Sequence, residues 1–245
     1  MKNQKDKILK KVSKKEEKFI SKTQKPNALK EKISEKIPDK LESTLNMAFE
    51  KAFGVLFTKG DVIIGKTINS GKISSEYDVL NYTADKIPTK KNINKIDGIS
   101  RKSNLINSSA VTAGGIAMGF LGVGIPDIAI FTSALLKGIY ETAASYGFEY
   151  SSEREKVYIL RLIRTALAEN ESKYENNAEL DSMVYSDINE EISLTAKSLA
   201  KSMLMEKFIQ GIPIVGVVGG ISDNIIYRKV LKFAKIKYKK RYLSK

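Results

Sequence analysis

One long apolar stretch constrains the fold of this 245-residue chain more than any other feature. The 27 residues from 110 to 136 contain one charged side chain, Asp127. As one continuous helix they would extend about 40 Å, which exceeds the roughly 30 Å hydrocarbon core of a bilayer. A lone carboxylate is also unfavourable inside lipid. A single membrane-spanning helix is therefore disfavoured.

The composition of this stretch instead predicts a bent helical hairpin. Pro126 suits the first turn of a second helix, and Asp127 would lie near that helix's positive end. Small residues spaced as in Gly115-x-x-x-Gly119 let helices approach closely, inside a bilayer or inside a protein core. The sequence leaves both environments open. The residues assigned to the hairpin and to its end are Gly114, Gly115, Gly119, Gly122, Gly124, Pro126, Asp127, Tyr146 and Gly147.

Helical periodicity recurs along the rest of the chain, and no segment alternates polar and apolar residues. We therefore expect an all-α fold, a multi-helix bundle around the glycine-rich hairpin. Residues 39–245 would form this helical domain, and residues 1–38 a lysine-rich, flexible arm with at most a frayed helix.

Several element boundaries follow from local signals. Gly54 or Gly60 should end or bend the helix that begins near Leu41. Ser151 or Ser152 and then Asp187 are expected to cap later helices. The acidic segment from 169 to 182 has no periodicity and is expected to be a surface loop. Residues 88–94 should form a polar connection.

The formal charge of +14 is concentrated at the two ends of the chain. Residues 1–53 carry 15 lysines against 8 acidic residues, and residues 228–245 carry 9 basic residues and no acidic ones. The middle of the chain is close to neutral. Basic ends beside apolar segments suit an anionic membrane surface, although solvated lysine-rich tails would show the same pattern.

The C-terminal segment has the pattern of a basic amphipathic helix. An apolar stripe runs from Tyr227 to Tyr238, with cations on either side. Such helices lie on anionic bilayers, whereas the alternative is a core helix with a lysine-rich outer face. The membrane-surface candidates are Arg228, Lys229, Lys232, Lys235, Tyr238, Lys239 and Lys240.

The residue inventory argues against most enzyme classes. The chain contains no cysteine and no histidine, so thiolate nucleophiles and histidine-based triads are excluded. We predict no catalytic, cofactor-binding or metal site. Short matches to a phosphate loop near Gly122, to S-x-x-K at Ser198 and to a calcium loop at Asp187 each lack the rest of their motif.

Three arginines form a weaker anion-site candidate. Arg154, Arg161 and Arg164 fall near one helical face and could gather a phosphate. Local pairing with Glu153 and Glu155 is the alternative.

One set of residues resembles the EcsC protein family. It comprises Ser109-Ala-Val-Thr-Ala-Gly-Gly, then Gly119-x-x-Gly122-x-Gly124-Ile-Pro126-Asp127, a long apolar helix, Tyr146-Gly147 and Glu153-Arg154. The resemblance covers roughly residues 40–240 and leaves the N-terminal arm outside. The chain departs from the family pattern at Ala113 and at Lys137-Gly138, so an arginine-based role at the latter position is not carried over.

The resemblance implies a bacterial, helical protein without an established catalytic activity. The namesake of the family is encoded beside an ABC-type exporter, which favours an accessory protein over a free-standing enzyme. With no secretion signal visible, we expect a cytoplasmic protein, peripheral to the inner face of the cell membrane. Its expected partners are the anionic membrane surface and integral membrane transporter proteins. The alternatives are a membrane-inserting toxin or effector and, less favoured, nucleic-acid binding through the basic ends.

Overall fold

A computed structural model describes residues 2–22, 37–68, 70–99, 126–184, 186–209 and 221–245. Within these ranges the chain forms helices and no strand, which confirms the all-α prediction. The helices are α1 (Lys2–Ile20), α2 (Asp39–Thr67), α3 (Ser70–Lys86), α4 (residues 90–99), α5 (Pro126–Ser145), α6 (Glu153–Leu167), α7 (Asn170–Ser182), α8 (Ile188–Ile209) and α9 (Ile221–Leu243).

The core is built around two of these helices. Helix α5, the expected second half of the hairpin, begins at Pro126 as predicted and packs against α2, α3 and α9. Helix α9 packs against α1, α5, α6 and α8. Their apolar residues are buried because each helix has neighbours on several sides. The hairpin residues Gly114, Gly115, Gly119, Gly122 and Gly124 lie outside the described ranges, so the first half of the hairpin stays a prediction.

The Tyr146-Gly147 pair ends α5 in a well-defined cap. Gly147 adopts a φ of +70°, a left-handed conformation that glycine takes without strain. Its N–H donates to the carbonyl of Ala144 at 2.9 Å, and the N–H of Phe148 donates to Ala143 at 3.0 Å. These two bonds satisfy carbonyls that would otherwise lack partners at the helix end. The pair therefore has a structural role in the chain reversal after α5.

The predicted caps are confirmed at two helices. The hydroxyl of Ser152 accepts the backbone N–H of Glu155 at the start of α6. The carboxylate of Asp187 accepts the N–H groups of Asn189 and Glu190, at 2.8 and 3.1 Å, and α8 follows. Both side chains satisfy donors that the first helical turn leaves free.

Other expected boundaries are wrong. Helix α2 does not end at Gly54 or Gly60 but continues to Thr67, so a bend at either glycine stays a prediction. Helix α4 already begins at residue 90, within the expected connection. The segment expected to be a surface loop, 169–182, forms α7. That helix has almost no amphipathic pattern, but it buries Leu180 and Lys173 against its neighbours. Tertiary contacts thus stabilise a helix that its own sequence barely encodes.

The N-terminal residues differ from the flexible arm expected for 1–38. Residues 2–20 form α1, which packs against α9 and buries Ile8, Val12 and Ile20. The ring of Phe19 stacks on that of Phe233, with centroids 4.7 Å apart. The domain boundary at 38/39 stays a prediction, since residues 23–36 are outside the described ranges.

A buried ion-pair cluster fastens α1 to α9. The carboxylate of Glu16 accepts from Lys237 Nζ at 2.7 Å and pairs with Lys240 Nζ at 2.6 Å. Lys237 also donates to Asp181 and, at 3.1 Å, to Asn177 of α7. Glu16 and Lys237 are 4% and 1% exposed, and a charge buried to that extent is costly without a partner. Each of the two side chains therefore compensates the charge of the other.

Replacing Gly147 by alanine should destabilise the fold. A Cβ there would overlap the ring of Tyr77, and the left-handed backbone disfavours any L side chain. We expect a loss of about 3 kcal/mol in the free energy of unfolding, measured by denaturant titration. The matched control is Gly54→Ala in α2, where no atom lies within 4 Å of the new Cβ. It should gain up to about 1 kcal/mol, and equal losses in the two variants would refute this explanation.

Replacing Glu16 by glutamine should loosen α1. The change removes the buried carboxylate that Lys237 and Lys240 share, although both lysines keep the more exposed Asp181 as a partner. We therefore expect a loss of about 2 kcal/mol in the free energy of unfolding. Denaturant titration would measure the loss, and limited proteolysis should cut within α1 first. Glu17→Gln removes the same charge from an exposed neighbouring position and should change neither result. Identical behaviour of the two variants would mean that the cluster does not hold α1.

Candidate functional site

The apolar stripe of α9 faces the protein and not a lipid surface. Val230, Leu231 and Ala234 are buried, and Tyr238 has no exposed surface at all. The hydroxyl of Tyr238 donates to Glu155 at 2.7 Å. Burial, followed by the nearby charge of Glu155, raises the pKa of Tyr238 well above its usual value, so the phenol remains a donor. The expected membrane-contact role of Tyr238 is therefore contradicted by its position.

Arg241 fixes the end of α9 to α6. Its guanidinium donates two hydrogen bonds to Glu155, at 2.6 and 2.9 Å. The same group lies over the rings of Phe148 and Tyr158, 4.2 and 4.1 Å from their centroids. A bidentate pair combined with aromatic stacking is among the stronger arrangements available to arginine. This cation is engaged inside the protein.

The remaining cationic candidates on α9 divide into two groups. Lys239 and Lys240 are ion-paired, Lys239 with Asp97 at 2.8 Å and Lys240 with Glu16. Lys235 donates to the backbone carbonyl of Asp97 at 2.9 Å. Lys229 is half-buried and its charge acts on Lys173, whereas Arg228 and Lys232 are exposed.

Three of these lysines line a groove that also includes α1. The groove has a volume of about 500 Å³ and lies where α1, α4 and α9 meet. We call it the lysine groove, and its lining residues are Val12, Lys15, Lys18, Phe19, Lys22, Asp97, Lys232, Lys235, Ile236 and Lys239. Six lysines against one aspartate give the lining a formal charge of +5.

The two ends of the chain present their lysines with the same spacing. Lys15, Lys18 and Lys22 are spaced i, i+3, i+7, and Lys232, Lys235 and Lys239 repeat this spacing. On α9 it places three side chains on one helix face, whereas on α1 it does so for Lys15 and Lys18, because Lys22 follows the helix end at Ile20.

The helices run antiparallel, because residue 16 contacts residue 237 and residue 19 contacts residue 233. By that register Lys15 lies level with Lys239 and Lys18 with Lys235. The row on α9 extends about 10 Å, and the facing row consists of Lys15 and Lys18 on α1 with Lys22 just after the helix end.

Asp97 is the acidic residue of the lining, and its charge is already neutralised. One carboxylate oxygen pairs with Lys239 at 2.8 Å, and the other accepts the hydroxyl of Tyr146 at 2.8 Å. Tyr146 therefore helps to position the wall of the groove as well as to end α5. With Asp97 engaged, the field inside the groove is strongly positive and suits an anionic ligand.

Phe19 belongs to the lining of the groove, and its ring contacts two other side chains, Phe233 and Lys173. Its ring stacks on Phe233, and the amine of Lys173 lies 4.4 Å from its centroid. Burial, with the charge of Lys229 as the next cause, lowers the pKa of Lys173 to about 8. The ring is thus already committed to protein contacts.

The arginine candidates do not form a free anion site. Arg161 donates to Glu191 at 2.7 Å and to the carbonyl of Val184 at 2.9 Å. Arg164 donates to Glu179 at 2.7 Å. A second cavity, of about 610 Å³, lies beside Arg154 and Arg161. Arg161 and Arg164 pair with Glu179 and Glu191, and not with Glu153 and Glu155 as expected.

Within the ranges that the structure describes, no cluster of acidic side chains could hold a metal ion. Among the helices of the same ranges, none has the length and apolarity needed to cross a membrane.

The α1 half of the groove was missed from the sequence because residues 1–38 were assigned to an arm. A usable signal existed, since the N-terminal lysine triplet accompanies a stripe of Ile8, Val12 and Phe19. That stripe is faint in a segment where most residues are charged or polar.

Comparison with known proteins relates the chain to one protein family by its family model. No curated protein and no solved structure matches the chain. The model of the EcsC protein family matches residues 2–243, so the match includes α1, which the resemblance had left outside. On that coverage, the chain belongs to the EcsC protein family.

Proposed function

We propose that this protein is a non-enzymatic accessory or regulatory protein that docks peripherally on the anionic inner face of a bacterial membrane. The observation that carries the proposal is the lysine groove, in which two rows of lysines converge on one concave surface. Solvated tails would scatter their charges, whereas this arrangement holds them in a fixed geometry.

The electrostatic attraction between the groove lysines and an anionic leaflet is strong enough for reversible docking. Each lysine near an anionic leaflet contributes about 1 kcal/mol, and the attraction decays within a Debye length of roughly 10 Å. Lys15, Lys18, Lys22 and Lys232 are exposed, so four cations are accessible without breaking a buried pair. The attachment should therefore be strong at low salt and released at high salt.

Partnership with an integral membrane transporter or secretion machinery is a further part of the proposal. It is supported by the family to which the chain belongs and by the location that peripheral docking would give. In that arrangement the protein acts by contact and not by chemistry.

Co-sedimentation with phosphatidylglycerol vesicles tests the docking. The variant Lys15→Gln/Lys18→Gln/Lys22→Gln should bind on the order of 100-fold more weakly than the unmodified protein, because three surface attractions are lost. Vesicles of phosphatidylcholine, and phosphatidylglycerol vesicles at high salt, should retain neither protein.

The matched control removes three charges from another surface. Lys51, Lys197 and Lys201 are exposed on α2 and α8. The variant Lys51→Gln/Lys197→Gln/Lys201→Gln should bind nearly as well as the unmodified protein. If both triple variants lose the same affinity, net charge and not the groove controls binding, and the proposed docking surface is wrong.

A further inference from the structure

The lysine groove has an apolar base as well as cationic walls. Val12 and Ile236 are 4% and 8% exposed and belong to its lining, so they lie at the bottom of the groove. The lysines are more exposed and form its rims. A simple charged surface would not need this base. The combination fits a ligand with an anionic end and an apolar portion.

The cationic walls suit a compact anion of high charge, such as a phosphate group. Lysine ammonium groups bind phosphate as compact point charges, and several of them can surround its oxygens. All six cations of the lining are lysines. The level pair Lys18–Lys235, with Lys22 and Lys232 also in the lining, provides charges from both ends of the chain around one ligand.

We propose that the lysine groove binds the phosphate headgroup of a single anionic lipid, with the first part of its acyl chains against Val12 and Ile236. This inference rests on the proposed function and sharpens it from attraction to a surface to a stoichiometric site. Its volume of about 500 Å³ lies within the range of small-molecule sites.

Nucleic acid fits the groove less well. Single-stranded nucleic acid is held by aromatic rings on which bases stack. Phe19 contributes the one aromatic side chain of the described lining, and its ring is occupied by Phe233 and Lys173. The groove therefore offers charges for a backbone but no free stacking platform.

Isothermal titration of the full chain with dihexanoyl phosphatidic acid, below its micelle concentration, tests the site. We expect saturation at one lipid per chain, with affinity at least tenfold higher than for glycerol 3-phosphate. Burial of two methylenes suffices for that factor. Dihexanoyl phosphatidylcholine should bind at least tenfold more weakly than phosphatidic acid.

Two variants locate the binding. Lys18→Gln/Lys232→Gln removes one exposed lysine from each row and should weaken phosphatidic acid binding at least tenfold. Lys197→Gln/Lys201→Gln removes the same charge from α8 and should leave binding unchanged. Circular dichroism melts of both variants establish that each remains folded.

Four results would overturn the inference. Equal affinity for glycerol 3-phosphate would make the groove a site for free phosphate. Non-saturable binding would reduce it to a charged surface. Equal weakening by both variants would place the lipid elsewhere. Displacement of the lipid by a short oligonucleotide of higher affinity would assign the groove to nucleic acid.

The outcome is separable from that of the proposed function. Vesicle docking without stoichiometric binding of the soluble lipid would overturn the single-lipid site and leave peripheral docking intact. Binding of the soluble lipid without vesicle docking would overturn peripheral docking and leave the single-lipid site intact.

Discussion

Glu16 holds the first helix of this protein against the last, and the lysine groove exists only because those helices touch. The carboxylate lies between Lys237 and Lys240, in a position almost closed to water. If α1 left, Lys237 and Lys240 would keep the more exposed Asp181 but lose their buried carboxylate, and that loss opposes the departure of α1. The stacking of Phe19 on Phe233 adds an apolar contact that fixes the register. From that register follow the two facing rows of lysines, one from each end of the chain.

The way α9 is used explains how a strongly basic helix can belong to a folded core. Its apolar stripe is buried among α1, α5, α6 and α8, and its end is fixed by Arg241 on Glu155. Membrane attachment through insertion of that stripe is incompatible with this packing. What remains available is the lysine face shared with α1, so the proposed docking is electrostatic and shallow. Tyr146 links this face to the family motif, since its hydroxyl holds the Asp97 carboxylate that Lys239 also binds.

Much of the fold could be predicted from local signals in the sequence. The caps at Ser152 and Asp187 and the start of α5 at Pro126 each depend on one or two residues acting on their own backbone. Helix α7 could not be predicted in this way, because it is stabilised by its contacts with helices that are distant in the sequence or precede it. No groove was predicted, although Lys232, Lys235 and Lys239 of its lining were among the membrane-surface candidates. The partnership of Glu16 with Lys237 joins residues more than 200 positions apart, and no local pattern encodes it.

Peripheral docking through the lysine groove is tested most directly by a probe beside it. The chain has no cysteine, so a single introduced cysteine gives an unambiguous label. Ser21 is exposed next to Lys22, and Ser193 is exposed on α8, which packs against α2 and α6. With an environment-sensitive dye on Ser21→Cys, emission should shift to the blue when phosphatidylglycerol vesicles are added at low salt. The same dye on Ser193→Cys should not respond. A shift at residue 193 alone, or no shift at residue 21 while the protein still sediments with the vesicles, would contradict docking through the groove.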